Sequence, residues 1–225
     1  MNEKYELTEE FKEIETLREG WLQKIKVYRI RALRAFADVK IGDLGGFVET
    51  KQNLSNMGNA WVYGNAEVYG NAKVCNNARV YDNAKVCNNA RVYDNAWVCG
   101  NAEVCGDAKV CNNARVYDNA WVCGNAKVYG NAEVCGDAKV CDNANIFWCS
   151  SIGSRHATTT MFRNKDNGIT VTCGCFMGTL EEFAERVEKE HGENIFGKEY
   201  KLLIELAKIH FGLQDETKGE EENGI

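Results

Sequence analysis

A valine returns every six residues from Val62 to Val140, and this period limits the chain to very few folds. An alanine stands two places before each valine, and Ala144 with Ile146 takes the next slot. Six is not a helical period, whereas Ala-x-Val with a variable residue between is strand alternation. The other half of each hexad is Gly, Asn or Asp followed by Asn or Asp. Those residues tolerate a left-handed backbone and make turns. Each hexad therefore predicts one short strand and one corner, and three hexads predict a triangular coil of 18 residues. Fifteen hexads from Val62 to Ile146 give five coils. At a strand spacing of about 4.8 Å they form roughly 24 Å of single-stranded parallel β-helix. The recurring asparagines (Asn59, Asn65, Asn71, Asn77, Asn83 and onward) are placed to ladder their amides between coils.

The open ends of such a prism are exposed strand edges and need caps. Residues 2–17 read as an amphipathic helix with Phe11, Ile14 and Leu17 on one side. Residues 21–36 alternate strongly and read as strand. They are also the most basic stretch, carrying Lys24, Lys26, Arg29, Arg31 and Arg34. After the prism, Thr158–Arg163 and Ile169–Cys175 read as a hairpin around Asn-Lys-Asp-Asn-Gly. Thr179 and Glu182 form a capping box that opens a helix ending near His191-Gly192. A second helix, about Lys198–Phe211, carries Leu202, Leu203, Leu206 and Ile209 on its expected apolar face. The chain thus reads as mainly β in five parts: an N-terminal helix and strand cap (1–47), the hexapeptide-repeat β-helix (48–153), a β-hairpin (154–178), a two-helix segment (179–213) and an acidic disordered tail (214–225).

Composition narrows the function classes. A net charge of −6 gives no global field for nucleic acid or an anionic membrane. No apolar run approaches the roughly 20 residues of a membrane span. The polar, acidic start MNEKYELTEEFKEIE is not a secretory signal. Eleven cysteines is an odd number, and eight of them lie inside the repeat. Secreted disulfide frameworks are usually short and even-numbered. The expectation is a cytoplasmic protein with reduced thiols.

The 18-residue coil sorts the outward residues into three columns. One reads Lys73, Arg91, Lys109, Lys127, Asn145; the second reads Trp61, Arg79, Trp97, Arg115, Glu133; the third reads Glu67, Lys85, Glu103, Trp121, Lys139. Like charges about 5 Å apart repel by roughly 1 kcal/mol in water. An acidic protein that stacks four of them is suited to present them to an anion. Planar rings beside guanidinium groups suit bases, phosphates and carboxylates. Solubilising lysines and a subunit-contact tryptophan column are the plainer readings. Beside the third column stand Cys87, Cys105, Cys123 and Cys141. Their spacing of about 4.8 Å falls in the disulfide range for Cα atoms and also suggests a soft metal, yet small apolar packing is the expected role. Cys173 and Cys175 form a lone C-x-C, a weak metal signal. No metal and no cofactor is expected.

The Ala-x-Val hexads resemble those of left-handed β-helix hexapeptide-repeat proteins. The stretches Arg31–Val48 (RALRAFADVKIGDLGGFV) and Thr172–Phe183 (TCGCFMGTLEEF) are similar to the lead-in and end segments of a set from bacteria and their phages, often labelled transferases. The resemblance implies the left hand, and acyl transfer from acyl-CoA with a histidine base near a coil interface. It equally brings to mind a three-histidine metal site on adjacent coils. The repeats here contain no histidine and no insertion. His191 and His210 sit at helix ends, where a charge–dipole role suffices, which leaves His156 as the base of any acyltransferase. The function expected is a non-catalytic homo-oligomer, a trimer by preference. It presents Trp61, Arg79, Trp97, Arg115, Lys73, Arg91, Lys109 and Lys127 to a small nucleotide-type anion. In a phage setting, which only the resemblance supplies, that is a sponge for a defence signal. A structural scaffold and an acyltransferase are the alternatives.

Overall fold

A computed structural model describes residues 3–18 and 20–213. The predicted acidic tail, 214–225, lies outside them. From Trp61–Val62 to Lys139–Val140 run fourteen two-residue strands, β4 to β17, one per hexad. They stack in register as three parallel sheets, giving a β-solenoid of about five turns. Every valine from Val62 to Val140 has no exposed surface, nor does any alanine from Ala60 to Ala132. Each fully buried valine contributes about 2 kcal/mol relative to an exposed one. Backbone bonds run from coil to coil, for example Arg79 N to Ala96 O at 3.0 Å. The first corner residue is left-handed throughout, as at Asn76 (φ 61°), Asp82 (φ 59°) and Gly100 (φ 70°). At Gly124 a Cβ would lie 2.1 Å from the Cys141 carbonyl, so this corner also needs the space.

The asparagine ladders form as expected. Asn59, Asn77, Asn95 and Asn113 each pass an Nδ2–H to the next Oδ1 at 3.0–3.3 Å, and Asn131 accepts the last. A second ladder runs Asn83, Asn101, Asn119 and ends on Asp137. A third runs Asn71, Asn89 and ends on Asp107. An aspartate only accepts, so it is chemically suited to the last rung.

The N-terminal cap corrects one expectation. Residues 5–18 are not a helix but a strand, β1 (Tyr5–Arg18), antiparallel to β2 (Trp21–Ala32). Tertiary pairing overrides the helix-forming composition. Ile14 faces Ile25, Glu13 faces Lys26 and Glu15 faces Lys24 across the hairpin. Arg29 pairs with Glu10 at 2.7 Å and Arg31 with Glu6 at 2.6 Å, so β1 neutralises much of the basic stretch of β2. β2 joins β3 (Leu44–Val48), which pairs in parallel with Glu67–Val68 and so enters the solenoid. Tyr5 closes the end of the core. Its hydroxyl donates to Lys51 O and Leu54 O at 3.0 and 2.9 Å, and its ring meets Trp61 at 6.1 Å.

At the other end the fifteenth hexad does not continue the coil. Ile146 fills its core slot but opens β18 (Ile146–Ile152), antiparallel to β19 (Ala157–Arg163). β20 (Ile169–Cys173) and β21 (Phe176–Thr179) complete a four-stranded sheet, so the predicted hairpin is its central pair. Phe162 from this sheet plugs the solenoid core. The capping box forms: Glu182 N donates to Thr179 Oγ1 at 3.2 Å and Thr179 N to Glu182 Oε2 at 2.8 Å. It opens α1 (Leu180–His191), followed by α2 (Ile195–Phe211). The apolar face expected for α2 needs correction. Leu203 is buried with Tyr200, Ile204, Ala207 and Phe211, whereas Leu202, Leu206 and Ile209 face outward. Among the described residues no helix is long and apolar enough to cross a membrane.

Candidate functional site: a basic column on the solenoid face

The solenoid holds Lys73, Arg91, Lys109 and Lys127 directly in line, each opposite the next in a parallel register. Lys73, Arg91 and Lys127 are exposed, and Lys109 is half-buried. Among the described residues none of these four has an ion-pair partner within 4 Å, whereas most other described arginines do. The corner asparagines Asn71 and Asn89 stand beside them, and together they line a shallow groove of about 730 Å³. Asp107 is the acidic group in that groove, and it accepts the Asn89 amide at 3.0 Å. The arrangement offers four cations along about 14 Å, with amides flanking them. It can bind an elongated anion through charge-assisted hydrogen bonds.

The Trp/Arg column has a different character. Trp61 is only 1% exposed and lies inside the N-terminal cap, with Phe36 at 5.3 Å. It is therefore a core residue and cannot meet a ligand, because the lead-in segment folds over the first coil. Arg79 is engaged by Asp38 at 3.2 Å and donates to the Tyr81 hydroxyl at 3.0 Å. That hydroxyl bond, against the opposing effect of burial, raises the Arg79 pKa further. Tyr81 stacks on Tyr63 at 4.4 Å and meets Trp97 at 6.0 Å. Arg115 lies 5.2 Å over the Trp97 ring and 3.4 Å from Glu133. Of the four residues expected here, Trp97 and Arg115 are exposed, Arg79 is half-buried and Trp61 is buried, and both arginines already have partners.

The cysteine column is assembled as predicted, but its members differ. Cys123 and Cys141 form a disulfide, a correction to the expectation that all four serve as packing thiols. Cys87 and Cys105 are free and buried, in one apolar cluster with Val27, Phe47 and Tyr69. Their shared hydrogen bond holds the Cys105 thiol below its ordinary range and the Cys87 thiol above it. Burial raises the thiols of Cys75 and Cys99 on other corners.

His156 is exposed in the turn after β18, with φ 48°. It lines neither the basic groove nor the cavity of the C-terminal module. That cavity, about 90 Å³, collects Arg155, Cys173, Cys175, Arg186, His191 and Tyr200. Sequence reading missed it because its lining comes from separate strands, a turn and both helices. The signal available was the C-x-C alone.

Comparison with known proteins supports the solenoid and stops there. Residues 84–100 and 108–124 match a family model described as YdcK beta solenoid repeat. No curated protein matches the chain. The repeat is thus a β-solenoid repeat in its own right, both by family model and by structure.

Proposed function

We propose that the protein is a non-catalytic binder of a small nucleotide-type anion, held along the column Lys73, Arg91, Lys109, Lys127. The observation that carries this reading is that, among the described residues, these four cations have no ion-pair partner on a face where they stand in register. Keeping like charges stacked costs stability, and an anionic ligand offsets that cost. A ligand with two or more phosphates matches the length of the column better than a single phosphate does. The occupied guanidiniums of Arg79 and Arg115 leave the Trp/Arg face a secondary role.

The test is thermal unfolding against nucleoside phosphates, cyclic dinucleotides, ADP-ribose derivatives and acyl-CoA. At a hundredfold excess over Kd, the bound ligand adds about 2.7 kcal/mol. The shift is expected with a nucleotide class and is lost in Arg91→Glu with Lys109→Glu. A shift that survives this double variant contradicts the reading, as does no shift at all. A shift with acyl-CoA alone, abolished by His156→Ala, favours the acyltransferase.

A scaffold reading is favoured by a different observation. Ile195, Leu202, Leu206 and Ile209 form an outward apolar stripe on α2 at helical spacing. Light scattering of Leu202→Glu with Leu206→Glu tests it: a homo-oligomer that dissociates supports self-association, and an unchanged mass removes this stripe from it.

A further inference from the structure

We propose that Cys87, Cys105 and Glu103 form a binding site for a thiophilic divalent cation such as zinc. The solenoid register generates the cluster. Glu103 opens the strand Glu103–Val104 and Cys105 follows it directly, so both flank the inward Val104 and turn outward from the core. Val104 is opposite Val86, so Cys87 stands one coil before Cys105. The two sulfurs and a carboxylate oxygen all lie within 4.8 Å of one another. Some point therefore lies within about 2.8 Å of all three atoms. That is within a small rotamer adjustment of the roughly 2.3 Å Zn–S and 2.0–2.2 Å Zn–O distances.

The surroundings suit a metal more than plain packing. Cys87 and Cys105 are 4% and 9% exposed, in an apolar cluster with Val27 and Phe47, so both thiolates would meet a cation away from bulk water, while the half-buried Glu103 carboxylate closes the site on its outer side. Trp121 donates its indole Nε1–H to Cys105 Sγ at 3.1 Å. An N–H aimed at a ligating sulfur is the outer contact that fixes ligand orientation in metal sites. Three protein donors leave a fourth tetrahedral position for water or an external ligand. Binding requires only loss of the two thiol protons, with no redox partner. It also fastens two neighbouring coils, as the Cys123–Cys141 disulfide does farther along the same column.

The experiment uses the full chain with free thiols and Cd²⁺ as probe, followed by its sulfur-to-metal charge-transfer absorbance, then Zn²⁺ by competition. One equivalent is expected, at micromolar Kd or tighter. Cys105→Ser is expected to weaken it at least about 100-fold and Glu103→Gln about 10-fold. Cys75→Ser with Cys99→Ser, and Cys123→Ser with Cys141→Ser, are expected to leave it unchanged. Glu103→Gln is isosteric, so it reports even where a cysteine variant folds poorly. No saturable Cd²⁺ binding overturns the proposal. Binding indifferent to both Cys105→Ser and Glu103→Gln, or lost in either control pair, overturns it too.

Discussion

Two faces of one solenoid, built from the same hexad, use their cations in opposite ways. On the Trp/Arg face each guanidinium is consumed locally: Arg79 by Asp38 and Tyr81, Arg115 by Glu133 and the Trp97 ring. On the basic face four cations stand in line with no ion pair among the described residues. The repeat dictates position, but neighbouring residues decide whether a charge is spent on stability or left for a partner. An arginine in a column is therefore informative only once its carboxylates are located.

The contrast can be broken at several points. The largest effect is expected at Trp61, which belongs to the Trp/Arg column by spacing and to the core by burial. Trp61→Ala should cost about 3–5 kcal/mol in chemical denaturation. Trp97→Ala, 40% exposed in the same column, should cost under about 1 kcal/mol. Equal losses would restore a single uniform column. Next, Arg79→Glu removes the Tyr81 bond and sets two carboxylates together at Asp38, for a loss of about 1–2 kcal/mol. A neutral outcome would mean that Arg79 is as free as Arg91.

A titration sharpens the account of the cap. Lys4 is buried, donates to Ala60 O at 2.9 Å, and has its pKa lowered to about 8 by burial first and Arg34 second. Between about 8 and the ordinary 10.5, the unfolded chain keeps a proton that the folded chain has released. Stability should then rise with pH across that window, by about 1 kcal/mol after allowing for solvent screening. The buried tyrosines Tyr5 and Tyr69, whose pKa values burial raises, oppose the trend above pH 10. Lys4→Met should flatten the rise; a rise unchanged in that variant would place its origin elsewhere. The smallest effect belongs to the basic face. Lys109→Glu replaces two repulsions with two attractions and should stabilise the protein by about 0.5 kcal/mol at low salt, fading in 1 M salt. Destabilisation would show that Lys109 has a partner within the fold.

Much of this was legible in the sequence, and the rest has identifiable causes. The valine period specified the strands, and the Gly/Asn/Asp pairs specified the corners. The 18-residue coil correctly aligned the three columns through the fourteenth hexad, with Asn145 falling outside its column, and it aligned the asparagine ladders. Helix-forming residues in β1 hid a strand because its partner, β2, lies across a turn and supplies the matching cations. Trp61 looked exposed because nothing local shows that the lead-in segment covers the first coil. Asp38 reaches Arg79 only through the folded cap. Glu103 was legible, since strand alternation puts it beside Cys105, but a reading in columns separated the two. The C-terminal cavity needs both helices in place.

The most direct test of the central claim is calorimetric titration of the best-shifting nucleotide into three proteins: wild type, Arg91→Glu with Lys109→Glu, and Arg79→Glu with Arg115→Glu. The account predicts that the basic-face pair loses at least about 100-fold in affinity, or roughly 2.7 kcal/mol, while the Trp/Arg pair stays within a few-fold of wild type. Loss in the Trp/Arg pair with binding intact in the basic-face pair would contradict it.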